Sequence, residues 1–131
     1  MPASASLPLP LLLYVEDELI IQHDVAAGLE EAGFKLVVAD NGEAALRLLT
    51  AHGAELRGLI TDVNLGKGPD GWDVARAARR GLAGLPVIYV SAASQHEWTV
   101  EGVPGSSMIA KPFACAQPVV AISSLLVVSV H

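Results

Sequence analysis

Residues 11–18 read LLLYVEDE, five apolar residues that run directly into three acidic ones. An uninterrupted apolar run of this length is typical of a strand that is buried on both faces of a parallel sheet. Four similar runs follow along the chain, at residues 34–39, 56–61, 87–90 and 107–110. The sequence therefore predicts five strands, each buried on both faces.

The stretches between these runs have helical spacing. In the first stretch, Ile21, Val25, Leu29 and Ala32 form one apolar stripe, and Gly33 follows as a residue that can end a helix. Comparable patterns predict helices over residues 42–52, 70–80, 94–102 and 116 to about 128. A strand–helix pair repeated five times predicts an α/β fold, a doubly wound five-stranded parallel sheet with helices on both faces.

Length and composition exclude several classes of protein. The 131 residues suit one domain, and we expect a flexible tail at 1–8 and a single domain at 9–131 with no separate output domain. Eight basic against fourteen acidic side chains give a net charge of −6 without a basic cluster, which disfavours nucleic-acid binding. The apolar run at 11–15 is too short for a membrane span, and one cysteine, Cys115, fits packing in a reducing, cytoplasmic compartment.

Polar residues follow four of the predicted strands. The acidic residues 16–18 follow the first strand, Asp62 the third, Ser91 the fourth and Lys111 the fifth. Parallel strands end at the same edge of a sheet, where such folds bind their ligands. Carboxylates gathered there repel one another unless a cation lies between them, and oxygen ligands favour Mg²⁺. Taken singly, each residue has an ordinary alternative role at a helix start, in a turn or on a solvated surface.

Five separated motifs resemble the receiver domain of two-component response regulators. They are YVEDE at 14–18, LITDVNL at 59–65, DGW at 70–72, VIYVSA at 87–92 and AKPF at 110–113. The resemblance extends over residues 10 to 128 and implies a flavodoxin-like sheet with strand order 2-1-3-4-5. It further implies a signalling phosphoacceptor that is not an enzyme beyond Mg²⁺-dependent self-phosphorylation and slow autodephosphorylation.

The resemblance implies a role for each site residue. Asp62 matches the phosphoacceptor, which takes the phosphoryl group from a histidine kinase or a histidine phosphotransfer protein. Ser91 and Lys111 match the residues that contact phosphoryl oxygens. The Mg²⁺ ligands implied in this way are Glu16, Asp17, Asp62 and the backbone carbonyl of Asn64. The output implied is a phosphorylation-biased contact with a downstream protein target.

The sequence departs from the family pattern at two places. Met108 stands where an aromatic residue usually lies three residues before the lysine, and the loop at 66–69 is about one residue longer than usual. Met108 favours an alternative hypothesis, a receiver-like interaction module that acts independently of phosphorylation. A phosphatase of the haloacid dehalogenase kind is disfavoured, because position 64 is Asn where that class has a second Asp.

The predicted fifth helix is apolar on nearly every side. A contiguous exposed apolar patch usually marks an interface, so we expect a homodimer or partner docking through the face of the fourth helix, fifth strand and fifth helix. The N-terminal tail folding back over the helix is the alternative. The histidines have no metal-binding spacing, and Trp72 and Trp98 are expected to pack in the core.

Overall fold

The computed structural model describes residues 9–92, 95–111 and 116–130. Three features named above lie outside these residues: the tail at 1–8, Cys115, and the Pro112-Phe113 half of the last motif. No helix in the described ranges has both the length and the apolar character needed to cross a membrane.

Within the described residues, five strands alternate with five helices, as the sequence predicts. The strands are β1 (Leu11–Val15), β2 (Lys35–Ala39), β3 (Leu56–Asp62), β4 (Val87–Ser91) and β5 (Ser107–Ala110). The helices are α1 (Leu19–Glu31), α2 (Gly42–His52), α3 (Gly71–Gly81), α4 (Gln95–Glu101) and α5 (Ala116–Val130), and a 3₁₀ turn, Gly53–Glu55, follows α2. All strand pairs are parallel and their order is β2-β1-β3-β4-β5, which confirms the doubly wound α/β fold.

Burial follows the position of each strand in the sheet. Every residue of the central strands β1 and β4 is buried. The prediction that all five strands are buried on both faces is wrong for the edge strands, because Lys35 and Val38 of β2 and Ala110 of β5 are exposed. An edge strand has a neighbour on one side alone, so the layers of helices cover it less completely than they cover the centre.

The helix ends follow local side-chain chemistry. Asn41 begins α2, since its side chain accepts a 2.8 Å hydrogen bond from the Ala44 amide. Asp70 begins α3 in a reciprocal capping box with Asp73, with bonds of 2.9 and 3.1 Å. Ala32 does not belong to the buried stripe of α1: the helix ends at Glu31, and Ala32 is exposed in the turn that leads to Gly33. Gly33 adopts φ +97°, which glycine tolerates.

Two apolar layers cover the faces of the sheet. One layer packs α2 and α3 against residues such as Leu13, Leu59 and Tyr89. The other packs α1 and α5 against Leu12 and Ile60. Because alternate residues of each strand enter opposite layers, both faces are fixed by the same strands and the carboxyl ends of those strands are held rigidly at one edge.

Candidate functional site

Four acidic side chains meet where β1 and β3 end. Glu16, Asp17, Glu18 and Asp62 each have a carboxylate oxygen within 4.8 Å of an oxygen of every other member. Glu16 continues the line of β1, with its amide bonded to the Ala39 carbonyl at 3.1 Å, and Asp62 is the last residue of β3. The order of the strands therefore brings together Glu16 and Asp62, which are 46 residues apart in the chain.

Lys111 brings the neutralising charge from the end of β5. Its Nζ lies 3.0 Å from Asp62 Oδ2, 2.9 Å from Glu18 Oε1 and 3.4 Å from Glu16 Oε2. The backbone of Lys111 is fixed as well, because its amide donates to the Ser91 carbonyl at 2.9 Å. One ammonium group thus contacts three of the four carboxylates.

Burial raises the pKa of the two buried acids, Glu16 and Asp62. Glu16 is fully buried, and this burial together with the nearby negative charge of Asp62 raises the pKa of Glu16 to about 7. Burial also raises the pKa of Asp62, although the hydrogen bond from Lys111 opposes the increase. Burial alone would lower the pKa of Lys111, but the hydrogen bonds to Glu18 and Asp62 outweigh it and the pKa rises.

The acidic cluster fits a divalent cation. Glu16 Oε1 is buried and has no hydrogen-bond partner among the described residues, so it is an uncompensated acceptor beside three other carboxylates. Asp17 is exposed at the mouth of the cluster, and all of the donors are oxygens. Mg²⁺ prefers such ligands and keeps several waters, for which an open mouth leaves room.

The end of β3 is held by close backbone contacts. The Asn64 amide donates to Asp62 Oδ1 at 3.3 Å, and the Gly71 amide donates to the Val63 carbonyl at 2.8 Å. A Cβ at Gly71 would lie 2.1 Å from the Asp62 carbonyl oxygen. The first residue of α3 therefore presses directly on the backbone of Asp62, and glycine permits this approach.

The other predicted residues are placed as follows. Ser91 is buried at the end of β4, beside the strand that ends at Asp62 and opposite Ala110 in the register with β5. Asn64 is exposed in the loop after β3. Trp72 packs with its ring centroid 4.5 Å from that of Tyr89, which agrees with the predicted packing role.

Two contributors were not identified from the sequence. Glu18 was noted as part of the acidic run but not as a partner of Lys111, although its position beside Asp17 is a usable signal. Gln22, on the polar face of α1, donates from Nε2 to the Glu16 carbonyl at 2.9 Å and to Asp40 Oδ1 at 2.7 Å. It links the ends of β1 and β2, a role that helical spacing cannot reveal.

Residues 12–123 match the protein family described as the response regulator receiver domain. The chain belongs to this family. Receiver domains are phosphoacceptor signalling domains of two-component systems that bind Mg²⁺ at an acidic pocket and interact with histidine kinases, phosphotransfer proteins and downstream targets.

Curated relatives and a solved structure extend this match. The transcriptional regulatory protein CusR of Escherichia coli K12 is 34% identical over 119 residues, which are 88% of this chain and 50% of CusR. The probable transcriptional regulatory protein SilR of Salmonella typhimurium is 35% identical with the same coverage. This receiver domain thus spans about half the length of the curated relatives that it matches. A response regulator receiver protein from Sinorhizobium medicae is 38% identical with a TM-score of 0.86, over 92% of this chain and 97% of that one.

Proposed function

We propose that this receiver domain accepts a phosphoryl group on Asp62 from a histidine kinase or a histidine phosphotransfer protein. The observation that carries the proposal is the pairing of Asp62 Oδ2 with the Lys111 ammonium at 3.0 Å, beside a buried Glu16 oxygen to which no described residue donates a hydrogen bond. A carboxylate so placed is held in position beside the positive charge that a phosphoryl group needs.

In the transfer step, an Asp62 carboxylate oxygen attacks the phosphorus of a phosphohistidine. The new O–P bond forms as the P–N bond breaks, and the imidazole leaves with the bonding electron pair and takes a proton from solvent. Lys111, on one side of the acceptor, is placed to pair with a phosphoryl oxygen, and the buried Ser91 hydroxyl is proposed to hydrogen-bond another. Phosphoryl transfer depends on such positioning and charge neutralisation more than on covalent machinery.

We propose that Glu16, Asp17, Asp62 and the backbone carbonyl of Asn64 hold Mg²⁺. When bound, the ion supplies the positive charge that lets a further anion approach this acidic cluster. Loss of the phosphoryl group is hydrolysis: water attacks phosphorus, the Asp62–phosphoryl O–P bond breaks, and carboxylate and inorganic phosphate are released. The domain then acts as a slowly self-resetting switch and not as an enzyme with an external substrate.

The proposed output is a contact with a downstream protein that phosphorylation strengthens. The exposed valines of α4 and α5, Val100 and Val120, support an interface on the face formed by α4, β5 and α5, where we also propose homodimerisation. The net charge of −6 supports a protein partner over nucleic acid.

Intact mass spectrometry tests the phosphoacceptor directly. After brief incubation with acetyl phosphate and Mg²⁺, we expect one phosphoryl increment that is lost in EDTA and in Asp62→Asn. Asp40→Asn is the matched control, because Asp40 lies at the end of β2, where its carboxylate pairs with Gln22. An increment that persists in Asp62→Asn would overturn the assignment.

A second candidate function is an interaction module that does not depend on phosphate. Met108 supports it, because this flexible side chain packs, half-buried, against the core layer beside Tyr89, where the family pattern has an aromatic residue. The same experiment separates the two functions, since a module of this kind acquires no increment and binds its partner equally well with and without acetyl phosphate.

A further inference from the structure

The Lys111 ammonium is saturated in the resting site. An ammonium group has three N–H donors, and the three carboxylates of Glu16, Glu18 and Asp62 surround Nζ at 3.4, 2.9 and 3.0 Å. A phosphoryl group on Asp62 brings three acceptor oxygens to a lysine that already pairs with Asp62, so it competes with the two glutamates for the remaining N–H donors.

The three partners differ in how readily they can be released. The side chains of Glu16 and Asp62 are 0% and 6% exposed, whereas that of Glu18 is 58% exposed. A released Glu18 carboxylate regains water at once, while a released Glu16 would remain buried without compensation. Glu18 also makes the shortest of the three contacts with Nζ.

We propose that Glu18 is a positioning residue that holds Lys111 in the resting site and competes with the phosphoryl group for its ammonium. The inference rests on the proposed phosphoacceptor role of Asp62. It gives Glu18 a function distinct from Mg²⁺ binding: the carboxylate keeps Lys111 extended toward Asp62 before phosphorylation and sets how easily Lys111 transfers to a phosphoryl oxygen.

The competition predicts that the affinity for a phosphoryl analogue rises while the affinity for Mg²⁺ does not. In Glu18→Gln, a weaker neutral acceptor replaces the carboxylate without loss of length. We expect the affinity for beryllofluoride, a phosphoryl analogue, to rise about fivefold at saturating Mg²⁺, in line with the loss of one partly exposed ion pair. The affinity for Mg²⁺ alone should be unchanged or lower, because the cluster has lost a negative charge.

Calorimetric titrations with Mg²⁺ and then beryllofluoride measure both affinities. Asp40→Asn is the matched control, since it removes one exposed negative charge from the same sheet edge without touching Lys111. A spectrum in EDTA supplies a readout free of metal: the Lys111 ammonium NMR signal should shift in Glu18→Gln and stay in place in Asp40→Asn.

Each remaining result counts against the inference. Equal tightening of beryllofluoride binding in Glu18→Gln and Asp40→Asn would show that the effect comes from the overall negative charge at this edge of the sheet. Weaker binding of both ligands in Glu18→Gln would show that Glu18 is a metal ligand. An unshifted Lys111 signal in EDTA would also overturn it. Failure of the underlying function is recognised separately, by wild-type protein that does not bind beryllofluoride at all.

Discussion

At the residue scale, burial of the Glu16 carboxylate is unfavourable when no metal ion is bound. Its carboxylate is fully buried, one oxygen has no hydrogen-bond partner among the described residues, and its pKa of about 7 reflects that burial and the charge of Asp62. The other oxygen shares Lys111 with Glu18 and Asp62, so a further cation would lower the cost of burying this charge.

Glu16 makes the stability of the metal-free protein depend on pH. Its pKa rises from 4.5 in the unfolded chain to about 7 in the fold. The stability it contributes is therefore fully present below pH ~4.5 and is lost as the pH rises through ~7. In EDTA we expect the free energy of unfolding to fall by up to about 3 kcal/mol between pH 5 and 8, measured by urea titration.

Two comparisons isolate this effect. Glu16→Gln should remove most of the pH dependence, because the amide stays neutral throughout the range. Saturating Mg²⁺ should restore the stability of the wild type at pH 8 and leave Glu16→Gln little changed. A wild-type protein that is as stable at pH 8 as at pH 5 in EDTA would contradict the burial argument.

Sequence reasoning could identify which residues meet at the proposed acceptor site but not all of their contacts. The placement of Asp62, Ser91 and Lys111 was predictable because each lies at or directly after the carboxyl end of an apolar strand, and parallel strands end together. The pairing of Lys111 with Glu18 was not predictable, because it depends on how a long side chain reaches across β1 and β3. The roles assigned to all of these side chains stay predictions: Glu16, Asp17, Asp62, Asn64, Ser91 and Lys111.

At the element scale, capping and turn residues predicted where helices begin and end more accurately than apolar runs predicted which strands are fully buried. Asp70 marks the start of α3 because its side chain caps the first turn of the helix. Gly33 closes the turn after α1 because glycine readily adopts the positive φ required there. The edge strand β2 reads in sequence like a central strand, since its composition does not record which neighbours it will have.

The junction of β3 and α3 depends on Gly71. A methyl group there would overlap the carbonyl of Asp62, so Gly71→Ala must move either the helix or the acceptor strand. We expect a loss of about 1–3 kcal/mol in the free energy of unfolding, typical of overpacking, and slower phosphorylation by acetyl phosphate.

The opposite end of the same helix provides a control. A Cβ at Gly81 would meet nothing within 4 Å and its φ is not positive, so Gly81→Ala should be neutral or stabilise the fold by up to about 1 kcal/mol. Chemical denaturation of both variants distinguishes the cases. Equal stability of the two variants would show that the close contact at Gly71 is relieved without cost.

At the scale of the whole molecule, the site is formed by residues at the ends of several strands and not by one element. Glu16 and Lys111 are 95 residues apart and come together when β1, β3, β4 and β5 have paired in order. The alternation of strands and helices predicted the class of fold, whereas the order 2-1-3-4-5 came from the family resemblance, because many orders share that alternation.

The proposed homodimer makes a prediction at this scale. We expect light scattering to show a larger dimer fraction with Mg²⁺ and beryllofluoride than without, and Val120→Lys on α5 to reduce it, because a charge would be buried at the interface. Ile20→Lys is the matched control, since Ile20 is equally apolar and 81% exposed but lies on α1. A monomer at high concentration under both conditions would exclude the dimer.

The central claim is that Asp62 carries the phosphoryl group. Borohydride reduces an acyl phosphate to an alcohol, so brief phosphorylation, borohydride treatment and peptide mass spectrometry identify the modified carboxylate. We expect homoserine at position 62, formed when Mg²⁺ and acetyl phosphate are both present. Homoserine at position 17, 5-hydroxynorvaline at position 16 or 18, or no reduced residue in a chain that has gained the phosphoryl mass would contradict this assignment.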